Sequence, residues 1–216
     1  MKNNNKIFLG EFIASCFLVM IIVGSGIMAE NLTNDNAVRL LAKTIATGAG
    51  LFVLITAFAN ISGAHLNPFV SLSMYLTKRI KGKELLTFIP AQILGCLLGV
   101  MLANVFFEHS IIELSTKNRD GFHIFLSEIV ATFGLIFIIF ATLKDGKTTV
   151  AACVATYISA GYWFTSSTSF ANPAVAIART FTDSFTGINY LNTPTYIFAE
   201  LLGAIVAIYI IKRLIK

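Results

Sequence analysis

Charged side chains are scarce in this chain. Lysine, arginine, aspartate and glutamate together make up 12% of 216 residues, against 56% hydrophobic types and a mean hydropathy of +0.78. That balance excludes an ordinary soluble domain and predicts a polytopic membrane protein. Cysteine is also rare: Cys16, Cys96 and Cys153 each sit inside an apolar run, where a thiol behaves as a small hydrophobe. No disulfide framework and no metal site are expected. Gly-x-Ser-x-Gly, His-Glu-x-x-His and a pair of aspartates within apolar spans are all missing, so neither an enzyme nor a cofactor is expected. The net charge of +5 comes from short basic clusters between apolar runs. It forms no stripe suited to nucleic acid and suits membrane topology instead.

Proline is equally sparse, at four residues, yet two of them sit in matched settings. The first is Ser62-Gly63-Ala64-His65-Leu66-Asn67-Pro68-Phe69-Val70, and the second is Ser169-Phe170-Ala171-Asn172-Pro173-Ala174-Val175-Ala176. Asn is a strong N-cap, and Pro at the first helical position loses only an N–H that had no partner. Each pair therefore predicts a helix start. The apolar stretches after the prolines, 69–77 and 174–182, span about 13 Å at 1.5 Å per residue. That is half of a ~30 Å hydrocarbon core, so the two half-helices should enter from opposite sides and meet near the midplane.

Six further segments are long enough, or nearly so, to cross: 7–28, 37–59, 85–107, 122–143, 148–164 and 196–211. A cleaved signal could also begin with a basic start and an apolar run, but Glu11 and the length of the first segment argue against one. The chain repeats itself. Glu11-Phe12-Ile13-Ala14-Ser15 returns as Glu128-Ile129-Val130-Ala131-Thr132, and Gln92-Ile93-Leu94-Gly95 returns as Glu200-Leu201-Leu202-Gly203. Each half reads helix, helix, half-helix, helix, and three spans per half invert the second copy. The expected fold is an all-α membrane protein, a single domain over 1–216 with inverted repeats at about 6–107 and 122–212. The polar hinge is 108–121, and the only other long connections expected are 30–36 and the second Asn-Pro loop.

In this topology Lys2, Lys6, Lys78, Arg79, Lys81, Lys83, Lys144, Lys147, Lys212, Arg213 and Lys216 fall on one side. Arg39, Lys43, Lys117 and Arg119 fall on the other, balanced by Glu30, Asp35, Glu108, Glu113 and Asp120. Both termini are expected to be cytoplasmic. The 78–83 cluster reads as a positive-inside loop, with a lipid or partner site as the alternative. Three acids remain inside spans: Glu11, Glu128 and Glu200. An intramembrane acid can serve a proton relay. Here each stands beside an Asn-Pro loop whose backbone needs acceptors, which favours a structural clamp.

With these paired motifs, nearly the whole chain resembles the aquaporin and glycerol-facilitator family. The resemblance implies six transmembrane helices plus two half-helices, a homotetramer with one pore per subunit in a bacterial inner membrane, and passive movement of water or small neutral solutes. It also implies that Asn67 and Asn172 donate to the permeant at the midplane, beside Pro68, Pro173 and Ala174, with the half-helix dipoles opposing cations. Phe69 replaces a usual Ala or Val, and either packs between half-helices or narrows the pore. Where most members carry Arg, this chain has Val175, and Arg179 follows one turn later as an expected interface or outer-end residue. Alignment by eye gives a small, mostly apolar selectivity filter of Ala49, Ala160, Ser169 and Val175. A pore so widened suits glycerol-like solutes. Val175 and the stretch 162–170 also resemble a bacterial subgroup often encountered with arsenic-resistance genes, which implies metalloid or organoarsenical solutes. His65 is expected to brace the first loop at the cytoplasmic mouth, with pH sensing as the alternative. His109 and His123 are expected to be solvated, and Trp163 to anchor at the interface. A proton-coupled transporter shares the repeat architecture, but the two loops offer Asn, Ser and Thr and no acid, which favours a channel.

Overall fold

The computed structural model describes residues 3–214, so Lys2 and Lys216 of the charge tally lie outside the described residues. Eight α-helices run in order along them: α1 (Asn3–Leu32), α2 (Asn36–Phe58), α3 (Pro68–Leu76), α4 (Gly82–Phe106), α5 (Phe122–Thr142), α6 (Lys147–Phe164), α7 (Pro173–Ala178) and α8 (Thr193–Leu214). Five of them, α1, α2, α4, α5 (with the 3-10 turn at its C-terminal end) and α8, are long and apolar enough to cross a membrane. The sixth, α6, has 18 residues, about 27 Å, and runs against α2 and α5. The two short helices α3 and α7 touch in the middle of the bundle. The apolar run predicts one half-helix from Pro173 through 182. The structure ends α7 at Ala178 and tightens the chain to a 3-10 turn at Arg179–Phe181. A fourth long connection, 182–192, lies outside the three expected and folds back over the 108–121 hinge: Asn189 N–H donates to Lys117 O at 2.8 Å.

Packing repeats as the sequence does. The α1–α4 pair of the first half has its counterpart in α5–α8 of the second, and α2–α6 contacts join the halves. Both like pairs cross at a glycine. A Cβ on Gly95 would run into the carbonyl of Phe12, and one on Gly203 into the carbonyl of Ile129. Backbone-to-backbone approach of this kind is how small residues hold membrane helices together where no hydrophobic force does. Gly203→Ala should therefore force the α5–α8 crossing apart at a cost of about 1–3 kcal/mol. Thermal unfolding in detergent should show a lower midpoint, and an unchanged one would mean that the crossing tolerates a methyl group.

The pairing also fixes the two ends of the bundle. Lys147 Nζ donates to Asn60 Oδ1, and Lys212 lines a surface hollow with Thr77, Lys78 and Arg79. This is the termini side. At the opposite, linker side, Phe185 N–H donates to Glu30 Oε2 at 2.6 Å, and Arg119 donates to Gly187 O and Phe185 O at 2.8 and 3.0 Å.

Candidate pore

The two Asn-Pro loops are built alike, residue for residue. Asn67 is the N-cap of α3 and accepts from Phe69 N–H at 2.9 Å; Asn172 caps α7 and accepts from Ala174 and Val175 N–H at 3.1 and 3.4 Å. Their amide nitrogens then cross over. Asn67 Nδ2 donates to Ala171 O at 2.6 Å, and Asn172 Nδ2 donates to Leu66 O at 2.8 Å. One N–H of each side chain is thereby spent on the opposite loop. The other is left for the cavity that both residues line. Ahead of each Asn, the residues three and one positions back are left-handed: Ala64 and Leu66 at φ 52° and 53°, Ser169 and Ala171 at 47° and 48°. Each costs about 1–2 kcal/mol for a non-glycine residue, so something must hold the loops.

Buried carboxylates do so. Glu11 accepts from Ser62 Oγ at 2.6 Å, His65 N–H at 3.1 Å, Leu66 N–H at 2.8 Å and Gln92 Nε2 at 2.8 Å. Glu128 accepts from Phe170 and Ala171 N–H at 2.9 and 2.8 Å, at the matching places two and one before the Asn. Glu200 Oε1 accepts from Asn172 N–H at 2.9 Å. The halves differ at one position. Gln92 donates to Glu11 and Ser71 and leaves its Oε1 without a partner, whereas its counterpart Glu200 accepts from Asn172 N–H and turns its other oxygen toward Glu128, carboxyl against carboxyl. Glu200→Gln should supply the donor that the first half already has, keep the Asn172 contact, and raise the unfolding midpoint by the worth of about 1 kcal/mol. A lower midpoint would show that the acid itself is needed. His65 is fixed on three sides: Nδ1 lies 3.0 Å from Ser71 Oγ, its ring stacks on Phe88 at 4.2 Å, and its N–H is bound to Glu11.

A cavity of about 460 Å³ runs from Arg79 and Lys147 on the termini side, past His65, Asn67 and Asn172, to Tyr162 and Arg179. Its far wall is apolar, with Ile22, Leu51, Ile55, Leu135, Ile139, Val154 and Ile158 facing the two loops. Val175 and Ser169 line it; Phe69 is buried in the core off its wall and does not narrow it. Pro68, Pro173 and Ala174 are buried beside it. Ala49 and Ala160, placed in the filter by sequence, are not on the wall. On α2 and its C-cap the lining residues are Thr47, Leu51, Ile55 and Ala59, four apart. Ala49, two steps of ~100° from Thr47, is exposed on the opposite face. On α6 they are Val150, Val154, Ile158 and Tyr162, and Ala160 is turned away and exposed for the same reason.

The cavity lining differs in two ways from the small filter without a guanidinium expected from sequence. Tyr162 and Thr47 stand where two alanines were expected, joined by a hydroxyl contact of 3.3 Å. Arg179, expected at an interface or outer end, is 1% exposed and lines the linker-side end of the cavity, with its guanidinium 3.4 Å from the Phe170 ring centroid and Nε bound to Thr186 O. Lys43, expected only to fall on the linker side, is 1% exposed, with Nζ 4.5 Å above the Tyr162 ring. The signal for these was present in the four-residue spacing of Lys43, Thr47, Leu51 and Ile55 along one face of α2. Trp163 is half-exposed and donates from Nε1 to Thr44 Oγ1 at 3.1 Å; His109 sits 3.1 Å from Glu113.

Eight helices in this arrangement, with two half-helices capped head to head, define a multi-span channel fold. The family model for the major intrinsic protein matches residues 1–164, and the chain belongs to that family. It is 45% identical over 208 residues to the aquaglyceroporin AqpS of Rhizobium meliloti (strain 1021), covering 96% of this chain and 89% of that protein. It is also 36% identical over 149 residues to aquaporin TIP1-2 of Musa acuminata and 28% over 211 residues to aquaporin-4 of Rattus norvegicus, covering 66% and 94% of this chain and 58% and 65% of those proteins. The X-ray structure of the aquaglyceroporin from Plasmodium falciparum superposes with a TM-score of 0.79 at 21% identity, covering 98% of this chain and 97% of that one. An FNT family ion channel shares the fold more distantly, at a TM-score of 0.58, 15% identity and 94% and 85% coverage. The protein is a multi-pass passive channel of the aquaporin and glycerol-facilitator type, and members of this family are not enzymes.

Proposed function

We propose that the channel passes small neutral polyols and water, with both termini cytoplasmic in a bacterial inner membrane and one pore in each subunit of a homotetramer. The observation that carries this reading is the cavity wall: an apolar face opposite a polar one, at which Asn67 and Asn172 each keep one N–H free. A polyol has the same two-sidedness, with carbon on one edge and hydroxyls on the other. The whole of 1–216 acts as one channel domain, built from the repeats at 6–107 and 122–212. Glycerol-like solutes come first, by the name of the Rhizobium relative. Neutral metalloid acids and organoarsenicals of similar size are further candidates. Val175 leaves the lumen without a guanidinium at that position, and Arg179 and Tyr162 line its linker-side end. Glu11, Glu128 and Glu200 act as clamps, which leaves no free acid at the midplane for proton coupling.

Stopped-flow light scattering on proteoliposomes tests this. Osmotic shrinkage in an impermeant osmolyte measures water, and re-swelling measures entry of glycerol, urea and a neutral arsenic acid. Fast re-swelling in glycerol, unaffected by a proton uncoupler, is expected. Shrinkage without re-swelling would limit the channel to water, and uphill uptake would refute passive transport.

A further inference from the structure

Three cations gather about the linker-side end of the cavity, Arg179 on its wall over the Phe170 ring, Arg119 over the same ring and Lys43 over the Tyr162 ring, and among the described residues no carboxylate is bound to any of them. Lys43 comes from α2, Arg119 from the 108–121 hinge and Arg179 from the turn after α7; the two guanidinium groups share the Phe170 ring, and the Tyr162 ring beneath Lys43 lines the same cavity as Arg179. Lys43 and Arg179 are both 1% exposed. A charge taken out of water is costly unless an opposite charge replaces its hydration. The acids nearby are committed elsewhere. Glu128 attracts Arg179 and Arg119 at long range, but its oxygens hold Phe170 and Ala171 N–H. Glu30 takes Phe185 N–H and Lys117, and Asp183 takes Thr116. Arg119 spends Nε and Nη2 on the carbonyls of Gly187 and Phe185. Arg179 spends Nε on Thr186 O, while its Nη2 is buried with no hydrogen-bond partner beside the Phe170 ring at the cavity wall.

Beyond those carbonyls and the Tyr196 hydroxyl near Arg119, the surroundings are aromatic. Arg179 and Arg119 both lie over Phe170, at 3.4 and 5.6 Å, and Lys43 lies over Tyr162. Ring faces soften the isolation of a cation but supply no hydrogen-bond acceptor. What completes such a site is an oxyanion with a flat, two-oxygen head for the guanidinium fork, small enough for the cavity and carrying an apolar end for the rings.

We infer that the linker-side mouth is a binding site for a small monovalent oxyanion, such as a short monocarboxylate, held between Arg179 and Lys43. The anion stops there. Past Thr47 the far wall is Leu51, Ile55, Val154 and Ile158, with nothing on it to replace the hydration of a charge. The site therefore concentrates a weak acid at the pore entrance, and only the neutral form of that acid meets the apolar wall.

Acetate is the probe, followed by saturation-transfer NMR on its methyl signal with the full-length protein in detergent, sodium acetate replacing chloride at constant ionic strength. Saturable transfer is expected, with a midpoint raised about tenfold or more in Lys43→Met, which keeps the length and packing of the side chain and removes the charge. Arg119→Gln, in the hinge outside the helices, should raise it by a smaller factor and serves if the Lys43 variant fails to fold. Absence of saturable transfer in the native protein would overturn the inference, as would a midpoint unmoved in a folded Lys43→Met or, if that variant does not fold, in Arg119→Gln. Anion binding at this mouth does not need conduction. Acetate binding without glycerol or water flux would overturn the channel reading and leave this site standing.

Discussion

Replacing Glu11 by alanine should leave little folded protein. The carboxylate is fully buried and takes hydrogen bonds from Ser62 Oγ, His65 N, Leu66 N and Gln92 Nε2, which have no other acceptor in place if it is removed, save that Gln92 also reaches Ser71. Each donor left unpaired in a buried site costs about 1–3 kcal/mol. Together they approach the whole margin of about 5–15 kcal/mol by which a native domain is stable. The loop also loses what holds Ala64 and Leu66 in the left-handed region, and with it the carbonyl of Leu66 that Asn172 binds. Damage in the first half should therefore reach the second. Size-exclusion chromatography and thermal unfolding in detergent measure this. A Glu11→Ala protein that is monodisperse with the native midpoint would show that the loop is held by packing alone.

Val175→Arg should cut glycerol flux by about tenfold or more and water flux by less. Val175 is 3% exposed, lies on the cavity wall one residue past Ala174, and shares a face with Arg179 one turn on. An arginine there fills lumen that a polyol needs and water does not. It also sets a second guanidinium close to Arg179, where no acid is free to separate them, so the two side chains spread into the remaining space. The measurement is the ratio of glycerol to water permeability in the same proteoliposomes. A ratio unchanged from the native protein would mean that the narrow point lies elsewhere, with Tyr162 and Thr47 the nearest alternatives.

The Asn-Pro caps were legible in the sequence because their chemistry is local. An Asn before a Pro caps a helix wherever it occurs, and both pairs do so here. The paired acids and glycines were legible by repetition, since each marks a place where a backbone must be satisfied or approached closely. The filter was not legible in the same way. Matching the end of α2 to the family puts Ala49 on the wall, and counting back from Asn172 puts Ala160 there, but an error of two residues turns a helix by ~200° and sends a side chain to the opposite face.

By itself, the sequence determined that this chain lies in a membrane, that it is doubled, and where its half-helices begin, because hydropathy, repetition and capping act over a few residues at a time. Only the tertiary structure decided which face of α2 and α6 meets the cavity, and that Arg179 lines one end of it while Lys43, 136 positions away, is buried over the Tyr162 ring that lines the same end. Those outcomes depend on the rotation of whole helices and on the change from α to 3-10 geometry at Arg179. Both are set by packing between the halves and not by any residue's own preference.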